Sequence, residues 1–128
     1  MKCEITIAVQ TEYRLTKNGM KNTHNRTIKT LTRKHREIGR KLAHAKKMDA
    51  GLTKPLTDAE IYVTSYWARS TMDYDGLACT IGPTIDGFVD AGIIKDDSPR
   101  VIRGYHMDFE KVATMAEVRV EVRVTGKR

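Results

Sequence analysis

A chain of 128 residues is the length of one domain, and 40% apolar residues are enough to bury a modest core. No apolar run is long enough to span a bilayer, and Met1-Lys2-Cys3-Glu4-Ile5-Thr6 lacks the pattern of a signal peptide, so no membrane association is expected and the expected setting is the cytoplasm. The net charge of +7 points to an anionic partner, and in a cytosolic chain Cys3 and Cys79 are expected to be reduced thiols.

In chain order, Cys3, Ile5, Ile7 and Val9 alternate with polar residues, which predicts a half-buried strand. Residues 10–27 are polar and contain Asn18-Gly19, so they read as a long loop or arm. From about Ile28 to Met48 the period is helical, with a stripe of Leu31, His35, Ile38, Leu42 and Ala45 closed by Gly51 and Pro55. Ala59 to Arg69 predicts a second strand with Ile61, Val63 and Trp67 on one face and Tyr62, Thr64 and Tyr66 on the other. Leu77, Ile81, Ile85, Phe88 and Val89 then follow at helical spacing and end at Gly92. Pro83 lies within this stretch, so either Thr80 caps the helix or Pro83 kinks a longer one. Val101 to Phe109 predicts a third strand, and Ala116 to Val124 a fourth with Val118, Val120 and Val122 on its buried face. The expected fold is α+β: a single domain over 1–128, with a mixed or antiparallel sheet of about four strands and two helices on one face.

The whole charge excess lies in the first helix. Between Lys29 and Lys47 eight cations face one acid, Glu37, while the rest of the chain balances at 15 against 15. A block this localised predicts phosphate contact, with Arg33, Lys34, Arg36, Arg40, Lys41 and Lys47 as the residues that track nucleic acid, joined by Arg69. The bland alternative is a solvated helix face.

Against this basic background stand Asp73-Tyr74-Asp75 and, about twenty residues on, Asp96-Asp97. Carboxylates at i and i+2 project from one side of an extended backbone, and a helix between them and Asp97 could return the third acid to the first two. Such a cluster repels itself unless a cation holds it, and Mg²⁺ takes oxygen ligands of this kind. A D-x-D pair alone is weak evidence, because acids are common at strand ends. A sugar-transferase fold does not fit a chain this short, and the spacing after Gly76 fails an EF-hand loop.

The wider pattern is more specific. Asp73-Tyr74-Asp75-Gly76-Leu77, followed by Ile85-Asp86-Gly87-Phe88-Val89-Asp90-Ala91-Gly92-Ile93-Ile94-Lys95-Asp96-Asp97-Ser98-Pro99, resembles the RusA-type Holliday-junction resolvases. These crossover junction endodeoxyribonucleases are frequent in phages and prophages. Their hallmark is D-x-D-N-L, a helix, then D-x-L-x-x-A-G-x-x-x-D-D. The resemblance covers the middle third of the chain. It implies a metal-dependent, structure-selective endodeoxyribonuclease that resolves four-way DNA junctions in recombination and repair. It further implies a homodimer acting on branched DNA, with Asp73, Asp75 and Asp97 as catalytic acids that bind Mg²⁺ (or Mn²⁺). Asp96 would point elsewhere. Two positions depart from the pattern: Gly76 replaces the usual Asn, and Cys79 stands near where a lysine is usual, leaving Arg69 or Lys95 to supply a cation.

The alternative is a non-catalytic junction- or DNA-binding protein that keeps the fold. A basic RNA-associated protein would account for the charge but not for the acids. His35 reads as a core or interface histidine, and His24, His44 and His106 lack metal-ligand spacing. Cys79 reads as a small filler, and Tyr66 and Trp67 as sheet packing.

Overall fold

The computed structural model describes residues 2–9, 25–69, 71 and 73–127. Its elements are β1 (Lys2–Val9), α1 (Asn25–Ala50), β2 (Asp58–Trp67), α2 (Tyr74–Asp90), β3 (Ile102–Lys111), a 3₁₀ turn (Met115–Glu117) and β4 (Arg119–Lys127). This is the α+β domain the periodicity predicts, with a mixed four-stranded sheet in the order β1-β4-β2-β3. The segment expected as a loop at 10–27 lies mostly outside the described residues, and 25–27 already belong to α1.

Period-2 patterning sets the register. β1 and β2 each run antiparallel to β4, so Ile5, Val124 and Ile61 form one row and Ile7, Val122 and Val63 the next. All six are at most 4% exposed and face the helices. β3 joins the other side of β2 in parallel, which puts Tyr105, Met107 and Phe109 on the same face at the sheet's edge. Leu77, Ile81, Ile85 and Phe88 of α2 complete a single core.

Of the two readings of Pro83 the structure has the longer helix, and one expectation about α1 changes. α2 begins two turns before Thr80, with Asp73 as its N-cap, and Pro83 lies inside it. The Thr80 hydroxyl instead donates to the Gly76 carbonyl at 2.9 Å. Gly82 has no Cβ to meet the proline ring, which lessens the clash that disfavours helical backbone before proline. In α1 the buried line is His35, Gly39 and Ala43, while Ile38 is 37% exposed and Ala45 is exposed. The predicted stripe followed large side chains, but α1 packs on α2 through small ones.

A Cβ on Gly39 would lie 2.5 Å from the Thr84 carbonyl oxygen, and one on Gly87 would lie 2.2 Å from the Arg36 carbonyl oxygen. The two backbones touch, so the crossing point is fixed. Both helices end in the same six-residue cap. Ile93 N–H donates to the Phe88 carbonyl and Gly92 N–H to Val89, and Leu52 and Gly51 do the same with Lys47 and Met48. Gly51 and Gly92 take φ of 65° and 80° there.

Gly87→Ala should therefore cost about 1–3 kcal/mol through forced separation of the helices. Gly51→Ala has open space around it and should cost only about 1 kcal/mol, from its left-handed backbone. Denaturant unfolding of both variants checks the order; a harmless Gly87→Ala would contradict the close crossing.

Candidate functional site

The β2–α2–β3 connection decides where the acids go. Because β2 and β3 are parallel, α2 must carry the chain back along the sheet before β3 can start. Asp73 and Asp75 therefore sit at the first end of α2, and Asp96 and Asp97 follow its last. From Asp75 to Asp86 the helix climbs eleven residues, about 16 Å. The structure does not bring Asp97 together with Asp73 and Asp75 within one chain. Among the described residues no group of three or more His, Cys, Asp or Glu side chains is placed to hold a metal. The extended D-x-D geometry fails for the same reason: Asp73 is extended, but Asp75 is already helical.

Asp73 accepts a hydrogen bond from the Gly76 N–H at 2.7 Å, the ordinary work of an N-cap. Asp75 lies in the first turn, where a negative charge faces the positive end of the helix dipole.

At the other end Asp97 meets Asp86, an acid the sequence reading quoted within the motif but assigned no role. The loop that carries Asp97 is pinned on both sides. Leu56 bridges Ile94, donating to the Ile93 carbonyl at 2.8 Å and accepting from Lys95 N–H at 3.0 Å. Val101 and Ile102 N–H both donate to the Ser98 carbonyl. Asp96 folds back into this turn, accepting from Asp97 N–H at 2.8 Å. The Ser98 side chain and this N–H hold the Asp96 carboxyl below the usual range. Asp96 is thus engaged within its own turn, while Asp97 lines the groove against α2.

Asp86 and Asp97 stand at the mouth of a groove of about 550 Å³ between α2 and the edge strand β3. Its walls are apolar: Ile81, Pro83 and Ile85 on one side, Tyr105 and Met107 on the other. Burial pushes the Asp86 carboxyl up, and the nearby Asp97 charge, within hydrogen-bonding reach, pushes it further; Arg36 opposes them. Burial and the same two acids raise the Tyr105 hydroxyl. One cue to Asp86 was available in the sequence: an acid among the apolar residues Ile85, Phe88 and Val89 on a helix.

The predicted phosphate contacts divide into two sets. Arg36 donates through Nε and Nη2 to both oxygens of Asp90, at 2.6 and 2.8 Å. Arg40 makes the same fork with Glu37, at 3.0 and 2.6 Å. Lys47 donates to the Ala91 carbonyl at the negative end of α2, at 3.3 Å. These three also make contacts within the protein, although the Arg36 and Arg40 side chains stay 53% and 42% exposed. Arg33, Lys34, Lys41 and Arg69 are exposed.

The remaining candidates are structural. His35 is 3% exposed, and Cys79 is half-buried. On the open sheet face Arg119 lies 4.0 Å over the Tyr66 ring, and at the end of β2 Lys111 lies 5.4 Å from the Trp67 ring centre. Neither a scan against protein-family models nor a search of curated proteins finds a match to this chain.

Asp86 gives this site a pH signature. Its folded pKa is raised, so the folded state holds the proton longer than the unfolded chain. Stability must fall as pH rises from about 4, the ordinary carboxylate value, through the raised one. Asp90, lowered by Arg36, has the opposite sign: its contribution is present above the ordinary value and is lost as pH falls through the lowered one. Asp86→Asn should remove the decline, gaining on the parent between about pH 4 and neutrality. Parallel stability curves in denaturant would contradict the raised Asp86 carboxyl.

Proposed function

We propose that this chain is a metal-dependent, structure-selective endodeoxyribonuclease of RusA type that cuts four-way DNA junctions. The observation that carries the reading is the Asp86–Asp97 carboxyl pair, held at the mouth of a groove on an otherwise basic protein. Adjacent carboxylates repel, and a rigid scaffold that holds them together is matched to a cation. Mg²⁺ commonly takes only one or two protein carboxylates and fills its shell with water and substrate phosphate oxygens. Asp86 and Asp97 fit that demand and would be the residues that hold it, with Mn²⁺ as a substitute. When bound, such an ion activates water and neutralises charge on the phosphate. The protein's own part is to fix the two acids, to wall the site with apolar side chains and to bring DNA there on α1. That attraction is electrostatic and reads backbone shape, not sequence.

A homodimer belongs to the same proposal. β3 is an edge strand, and a second copy related to it by a two-fold axis would run its α2 antiparallel to the first. The Asp73–Asp75 end of one helix would then approach the Asp86–Asp97 end of the other. Two such sites suit a substrate with paired strands to cut. The cytoplasmic setting is likewise proposed; among the described residues no helix is long and apolar enough to cross a membrane.

The second reading is a DNA-binding protein without cleavage. It is favoured by Asp73, which is engaged as a cap, and by Cys79 where a cation would be expected.

A synthetic four-way junction separates the two. The nuclease should nick it with Mg²⁺ and not with EDTA, and should leave linear duplex intact. Asp86→Asn and Asp97→Asn should each lower cleavage at least about a hundredfold while leaving junction affinity intact. Cleavage equal to the parent's by either variant would refute the site, and a parent that binds without cutting would favour the second reading. Changing Arg33 and Lys41 together to Ala should flatten the log–log salt dependence of binding by about one unit for each lost contact. An unchanged slope would make this face merely solvated.

A further inference from the structure

We propose that Arg36 contacts the DNA phosphate that lies at the Asp86–Asp97 pair, and that Asp90 is the positioning residue that aims it. The inference rests on reading that pair as the reaction site. It supplies the cation that the sequence lacks near Cys79.

Three observations place Arg36 there. The Gly39–Gly87 crossing presses the α1 backbone onto α2, with the Arg36 carbonyl oxygen 2.2 Å from where a Gly87 Cβ would be. Arg36 is thereby fixed beside the last turns of α2. Its Nε and Nη2 grip both oxygens of Asp90. Asp90 lies one turn beyond Asp86 on the same side of α2, a rise of about 6 Å. A guanidinium that faces a carboxylate with one edge still presents Nη1 and the second Nη2 hydrogen outward. The Arg36 side chain is 53% exposed, so a ligand can reach it. An ammonium held by Asp90 would have no second edge to offer, which is why arginine suits the place. Consistent with this placement, the Arg36 charge is felt at Asp86.

The rival account makes Arg36–Asp90 a tie between two helices and nothing more. Four-way junctions carrying a single neutral methylphosphonate at successive positions near the crossover distinguish the two accounts. Affinity for each is measured for the parent, Arg36→Ala, Arg36→Lys and Asp90→Asn, and cleavage is followed in a single turnover with Mg²⁺. In the parent, a methylphosphonate at the cut position should weaken binding several-fold. In Arg36→Ala that one penalty should vanish while the penalties at other positions stay, and cleavage of the natural junction should fall about a hundredfold. Arg36→Lys retains the pairing with Asp90 and guards against loss of folding; it should lose the same penalty. Asp90→Asn should weaken the penalty in part.

An unchanged penalty pattern in both Arg36 variants, with cleavage retained, would overturn the inference and leave the nuclease reading standing. A parent that never cuts, combined with selective loss of one penalty in Arg36→Ala and Arg36→Lys, would support the contact and sink the nuclease reading instead.

Discussion

The close contact of two glycines is the constraint on which the rest of this structure depends. Gly39 and Gly87 let the backbones of α1 and α2 meet with no side chain between them. That contact fixes the helix crossing, and the crossing fixes which side of α1 each charged residue takes. Arg36 and Lys47 turn toward the last turns of α2, where they meet Asp90 and the Ala91 carbonyl. Arg33 and Lys41 are left facing outward. A single steric fact thus divides a basic helix into an internal clamp and an external surface.

The clamp matters because of what lies beside it. Asp86 and Asp97 are held close by a rigid helix on one side and by a loop pinned at Leu56 and Ser98 on the other. Both acids line one groove with Ile81, Ile85 and Met107, and partial burial together with the nearby Asp97 charge raises the Asp86 carboxyl. The fold therefore carries an electrostatic strain at one point of a protein whose remaining charge is positive. On the proposed function such a point would take a divalent cation, and the surrounding positive surface would attract the polyanion on which that cation acts. The two halves of the functional reading need each other, since acids without the basic helix would repel DNA.

Much of the fold was legible because its signals are local. Alternating valines in β4, the N-terminal alternation of β1 and the glycines after both helices each determine their element from within a few residues. The first turns of α2 were half legible, because the spacing left a longer helix through Pro83 open without deciding for it. Pro83 is a strong breaker signal, and only its partner Gly82 and the Asp73 cap carry the helix across it. The α1 stripe was misread because a packing face made of His35, Gly39 and Ala43 contributes little hydrophobicity. Its reason for being there is shape. The acid cluster was half legible: Asp97 was found, but its neighbour is set by the direction of β3. A parallel strand must start at the far end of the crossover helix, so Asp97 cannot return to Asp73 in the same chain. Sequence spacing holds the length of that helix but not the sense of the strand after it.

The most direct test of this account is where a divalent cation sits. Titrating the ¹⁵N-labelled protein with Mn²⁺ and following paramagnetic broadening of its amide signals locates the ion without requiring catalysis. The account predicts that broadening begins at the amides around Asp86 and Asp97, including Gly87 and Ser98, and disappears there in Asp86→Asn and Asp97→Asn. Broadening that leaves Gly87 and Ser98 sharp while other amides vanish would contradict it.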